Sequence, residues 1–184
     1  MTKTSQKITK LIVRHPADVL AQVAQPVAID EITSPKIQNI IKEMSDTLHC
    51  SLDGIGIAAP QIGYSLRTFV ASEEALRYDE IKDIPEEERD KIIWKHYVFI
   101  NPEIKKTSRK KLSELEGCLS VPGKFGIMDR AEKVTVAAHD EHGYKFERGT
   151  SHLYARLMQH EIDHLNGHLF IEHVKEWVEV EKKK

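Results

Sequence analysis

The segment SHLYARLMQHEIDHLNG, residues 151–167, decides how this chain is read. Leu153, Leu157, Met158, Ile162 and Leu165 recur at helical spacing, so one face of the segment is apolar and belongs against a core. Ser151 stands at the N-cap position and Asn166-Gly167 at the stop, which predicts a helix between them. On that helix His160 and His164 are four residues apart. They project from one face about a turn from each other and can offer imidazole nitrogens to a single ion. Glu161 follows the first histidine directly, where its carboxylate can take a proton from water without itself ligating. The spacing suits metal-assisted hydrolysis.

A hydrolytic metal site needs a third protein ligand and an open position. Gly167 falls where a metzincin pattern expects glycine, but Phe170 occupies the place of that pattern's third histidine. His168 and His173 stand at other offsets and read as surface or helix-end residues. Glu176, Glu179 and Glu181 belong to a charged terminal segment that reads as a solvated helix face. Upstream, Glu116-Gly117-Cys118-Leu119-Ser120 offers Cys118, a soft thiolate beside a glycine that admits close backbone approach. One cysteine and two histidines make a three-ligand set. Cys50, at the end of a helix with no partner motif, reads instead as a small buried hydrophobe. These residues leave open a metalloendopeptidase and a non-enzymatic protein with a structural metal. The latter requires a closed four-ligand site, and no fourth ligand is evident.

Outward from this helix the chain alternates in character. Ser34-Pro35 followed by Ile37, Ile40, Ile41, Met44 and Leu48 predicts a capped amphipathic helix ending before Asp53-Gly54. GIGIAAPQIG, residues 54–63, reads as a loop or irregular edge strand. Leu66 to Ala71 and Tyr97 to Asn101 are β-prone, and Lys133 to His139 followed by Gly143 and Tyr144 to Phe146 reads as a hairpin. Ser72 to His96 carries nine acidic residues and reads as a solvated excursion, with Pro85 opening a short helix. The expected architecture is α+β, strand layers packed around a central metal-binding helix.

Residues 1–184 fit a single catalytic domain with a short charged C-terminal tail. Charged residues at 30% and hydrophobic residues at 40% match ordinary globular chains and exclude disordered and membrane classes. A net charge of −2 gives no footprint for specific nucleic acid, and no segment is long enough to span a bilayer. The first ten residues lack the apolar run of a secretory signal, and two cysteines make no disulfide framework. A cytoplasmic setting is expected, and an organellar one after removal of a transit peptide is compatible with the sequence.

Three segments together resemble the peptide deformylases: Gly54-Ile55-Gly56-Ile57-Ala58-Ala59-Pro60-Gln61, Glu116-Gly117-Cys118-Leu119-Ser120, and Gln159-His160-Glu161-Ile162-Asp163-His164. Weaker similarity runs from about Arg14-His15-Pro16 to Phe170. The resemblance implies removal of the formyl group from N-formylmethionyl peptides, with formate as the second product. It implies Cys118, His160 and His164 as ligands of one divalent ion, Fe2+ in cells, although Zn2+, Ni2+ and Co2+ suit the same donors. It also implies Glu161 as general base and then acid, with the Gln61 amide and the Leu119 backbone N–H facing the developing oxyanion. Ile55, Gly56, Leu153, Leu157 and His160 would line the methionine pocket, with Glu116 and Gly117 contacting substrate, and Asp163 would pair with Arg130 to fix the metal helix. Arg156 and Phe125 stand where some members carry an apolar residue and an arginine, respectively. Little follows Trp177, so a transient ribosome contact would not use the C-terminal helix that some bacterial members present.

Overall fold

The structure is a computed structural model that describes residues 11–51, 54–89 and 92–180. Among the described residues five helices and eight strands follow one another in chain order. They are α1 (Pro35–His49), β1 (Gly56–Ala58), β2 (Thr68–Ser72), α2 (Glu73–Leu76), α3 (Tyr78–Ile81), α4 (Glu86–Arg89), β3 (His96–Thr107), β4 (Lys111–Gly117), β5 (Phe125–Ala131), β6 (Lys133–His139), β7 (Lys145–Ser151), α5 (His152–Leu165) and β8 (Glu176–Val178). One antiparallel sheet has the order β1-β2-β3-β6-β7 and a second has the order β4-β5-β8. The architecture is α+β, as expected.

Strand β2 shows how the larger sheet is held. All five of its residues are buried. Successive side chains of a strand point to opposite faces, so Val70 joins Ile37, Ile40, Ile41 and Met44 of α1 on one side. Phe69 and Ala71 join Leu157, Met158, Ile162 and Leu165 of α5 on the other. Phe69 stacks on Phe99 of β3 with ring centroids 4.6 Å apart, which locks adjacent strands beneath α5. The helix is thereby seated on a sheet covered on both faces.

Its end is fixed as well. The Gly167 N–H donates to His164 O at 3.2 Å and the His168 N–H to Asp163 O at 2.9 Å, the paired bonds of a Schellman stop. Gly167 has φ of +80°, and a Cβ there would meet the Ala21 carbonyl oxygen at 2.8 Å. Gly167→Ala is therefore expected to destabilise the fold by about 1–3 kcal/mol, read as a lowered Tm in thermal denaturation.

Several expectations need correction. Ser72 ends β2 and is buried, and Ala75 and Ile81 are each 2% exposed, so the acidic stretch is not wholly solvated. Ala75 and Ile81 anchor α2 and α3, while Asp79, Glu80, Asp83, Glu87 and Glu88 are exposed. Among those acidic residues, Asp90 lies outside the described residues. Cys50 is exposed rather than buried, because α1 ends at His49 and turns its last position outward. Glu176 and Trp177 lie in strand β8, which pairs with β5, and not on a helix. Ser151 ends β7 at the N-cap position of α5, but its side chain makes no capping bond. In α1, by contrast, Ser34 Oγ accepts the Ile37 N–H. Asp53, the terminal lysines and Glu181 lie outside the described residues.

Candidate metal centre

Helix α5 supplies His160, Glu161 and His164, and the turn after β4 supplies Cys118. The donor atoms of Cys118, His160 and His164 all lie within 4.8 Å of one another, with Cys118 Sγ 3.2 Å from His164 Nε2. Cys118 Sγ also accepts the Ser120 N–H at 3.4 Å. The two imidazole rings stand at 76° with centroids 5.0 Å apart, as side chains one helical turn apart and aimed at one point would. His164 is 1% exposed and Glu161 2% exposed, so both act out of bulk water.

Burial and neighbouring charges set opposite protonation preferences on the two histidines. Burial alone would lower the His160 pKa, but its hydrogen bonds to Cys118 and Glu116 outweigh that and carry it well above the ordinary imidazole range. Burial, with the neighbouring charges of His160 and Arg130, holds His164 well below that range and therefore neutral, the form that ligates. Burial pushes the Glu161 carboxyl up to about 7, with His160 and Arg130 opposing and Glu116 adding to the rise. Glu161 Oε2 and His164 Nδ1 are buried with no hydrogen-bond partner among the described residues. A thiolate and two imidazoles suit a divalent ion of the zinc or ferrous class, so the residues present fit a metal.

Gln61 sits in the 3-10 turn Ala59–Ile62, 1% exposed. Its Oε1 accepts the Ala58 N–H at 2.8 Å, which fixes the amide so that Nε2 points at Ser120 Oγ, 3.2 Å away, and at Cys118 Sγ, 3.6 Å away. No group among the described residues accepts the Leu119 N–H. The Gln61 amide donor is thus held beside the Cys118, His160 and His164 cluster.

A cavity of about 360 Å³ opens against this cluster. Ile55, Gly56, Leu119, Leu153 and Leu157 contribute its apolar wall, while Gln61, Cys118, His160 and Glu161 form its polar end. A Cβ on Gly56 would lie 2.6 Å from Leu157 Cδ1 and 2.7 Å from Glu161 Oε1, so this glycine lets β1 pass against the site. Gly56→Ala should displace Glu161, with an expected fall of about 10²-fold in kcat/KM and little loss of Tm. Gly117 plays a similar part under the Phe125 ring, which a Cβ would meet at 2.6 Å.

Glu116 lines the cavity, yet its carboxylate is engaged by the protein. Oε2 lies 3.0 Å from His160 Nδ1, and Oε1 accepts Arg130 Nε at 2.9 Å and Arg156 Nη1 at 2.7 Å. Burial would raise its pKa, but the bonds from His160 and Arg130 prevail and hold it well below the usual carboxylate range. The expected Arg130–Asp163 pair is present at 2.5 Å. Sequence reasoning missed that Arg156, 4% exposed, reaches across to Glu114 and to the Leu112 and Met128 carbonyl oxygens. An arginine at a buried helical position was the available signal, since such a charge requires partners.

The chain matches the polypeptide deformylase family model over residues 9–180. It is 36% identical over 165 residues to the peptide deformylase of Borreliella burgdorferi, covering 90% of this chain and 87% of that one. It is 38% identical over 159 residues to the chloroplastic/mitochondrial peptide deformylase 1A of Arabidopsis thaliana, covering 84% of this chain but 57% of the plant protein's length. Among solved structures, the class I type b peptide deformylase of Acinetobacter baumannii bound to Met-Ala-Ser superposes with a TM-score of 0.77 at 32% identity, covering 91% of this chain and 99% of that chain. The match along almost the whole chain, with the three motifs brought to one cavity, settles the family: the chain belongs to the peptide deformylases, a family of hydrolases.

Proposed function

We propose that this chain removes the formyl group from N-formylmethionine at the start of newly made polypeptides, with Cys118, His160 and His164 holding one divalent ion. The observation that carries the proposal is the convergence of these three donors beside Glu161 at the polar end of an apolar cavity. A divalent ion held there would supply Lewis-acid chemistry toward water and the formyl oxygen. Glu161 takes a proton from the attacking water, and oxygen–carbon bond formation leaves negative charge on the former carbonyl oxygen. Gln61 Nε2 and the Leu119 N–H donate to that oxygen. As the carbon–nitrogen bond breaks, Glu161 delivers the proton to the departing amino group, giving formate and a free methionyl N-terminus.

Ile55, Gly56, Leu153 and Leu157 receive the methionine side chain, whose unbranched thioether fits an apolar slot. Glu116 holds the His160 ring through Nδ1, leaving Nε2 for the ion, and Arg130 with Asp163 ties α5 to β5. Ferrous iron is the proposed ion in cells, in a cytoplasmic setting where nascent chains emerge. A transient ribosome contact is part of the same proposal.

The test compares formyl-Met peptides with unformylated and internally blocked peptides, using anaerobically purified protein. Formate release confined to the formylated substrate is expected. Cleavage of internal peptide bonds without formate would establish an endopeptidase instead.

A further inference from the structure

Besides the centre on α5, one other set of three ligand-bearing side chains converges among the described residues. His168, Glu172 and His173 place their donor atoms within 4.8 Å of one another, and all three are exposed. His168 follows the Gly167 stop, and the 3-10 turn Phe170–Glu172 folds back so that Glu172 stands beside it. Glu172 is the fixed point of the set. Its Oε1 accepts the Leu169 N–H at 2.8 Å, and its Oε2 lies 2.9 Å from His168 Nδ1. His173 adds a second imidazole whose ring centroid is 6.2 Å from that of His168. The corresponding separation for His160 and His164 is 5.0 Å. The outer pair must therefore close slightly, which exposed side chains can do by small rotations.

We propose that His168, Glu172 and His173 form a second metal site, on the surface, that takes Zn2+. Two imidazoles and a carboxylate are a donor set that zinc uses with a water in the fourth position. The site shares no ligand with the Cys118 centre, and its occupation does not depend on the reaction proposed above. It would nevertheless act on the wall behind that centre. Phe170, in the same turn, is 1% exposed, and its ring centroid lies 6.3 Å from those of both His160 and Trp177. An ion joining the turn to the end of α5 would hold that ring in place.

The test titrates Zn2+ into protein whose catalytic ion is already bound, with calorimetry and elemental analysis. Wild type is expected to take up one ion more per chain than the His168→Ala/His173→Ala double variant and to gain Tm with added Zn2+, a gain the variant lacks. Both proteins should keep their catalytic ion and the same basal formate release. His173→Ala alone, which leaves the Glu172 cap intact, should weaken the added Zn2+ by at least about tenfold. Equal Zn2+ uptake by wild type and both variants, or no uptake beyond the catalytic ion, would overturn the proposal.

Discussion

Glu161→Ala is expected to retain metal while losing formate release by roughly 10²–10⁴-fold, because the substitution removes the proposed proton carrier and none of the proposed ligands. The carboxylate is buried, it lies within reach of the cavity end, and its Oε2 has no hydrogen-bond partner among the described residues. A structural role would give a different signature. Loss of metal together with activity would show that Glu161 shapes the site rather than moving protons, and wild-type turnover would remove it from the mechanism. Metal content and formate release must therefore be read on the same preparation.

Glu116→Ala should be the most destabilising single change near the site, by about 3–5 kcal/mol. Its carboxylate is the point where Arg130, Arg156 and His160 meet, and Glu116, Arg130 and Arg156 are each less than a tenth exposed. Removing it leaves, among the described residues, Arg130 with Asp163, and Arg156 with Glu114 and two carbonyl oxygens. The His160 ring also loses the group that sets its orientation. A fall of about 10–100-fold in metal affinity should accompany the loss of stability, measured by chelator competition beside chemical denaturation. Unchanged denaturation midpoint and unchanged metal affinity would show that the cluster is ornamental. Glu116→Gln keeps the shape but not the charge, and it separates packing from electrostatics.

Helix α5 was legible because its information is local. The period of Leu153, Leu157, Met158, Ile162 and Leu165, the stop at Asn166-Gly167, and the four-residue step from His160 to His164 all act within one element. Cys118 was singled out by its soft thiolate chemistry and Gln61 by the family's motifs, since nothing in the spacing from residue 61 to 118 to 160 says that they meet. Strands β4 and β5 escaped notice because their alternation is masked. Leu115 is 47% exposed and Glu116 is buried, the reverse of what hydropathy suggests at those positions. Glu116 points inward because two arginines from β5 and α5 await it. Strand β8 was hidden for a related reason: three residues, Glu-Trp-Val, pair only because β5 offers an edge more than forty positions earlier. Cys50 shows the same limit, as burial at a helix end depends on where the chain turns next.

In the proposed mechanism Cys118, His160 and His164 hold the ion on which deformylation depends. That mechanism is tested most directly by measuring metal per chain and formate release from a formyl-Met peptide for wild type, Cys118→Ala and Glu161→Ala, all purified anaerobically. The expected result is about one ion and rapid formate release in wild type, lost metal and lost release in Cys118→Ala, and retained metal without release in Glu161→Ala. Formate release by Cys118→Ala at the wild-type rate, or by protein stripped of metal, would contradict the account.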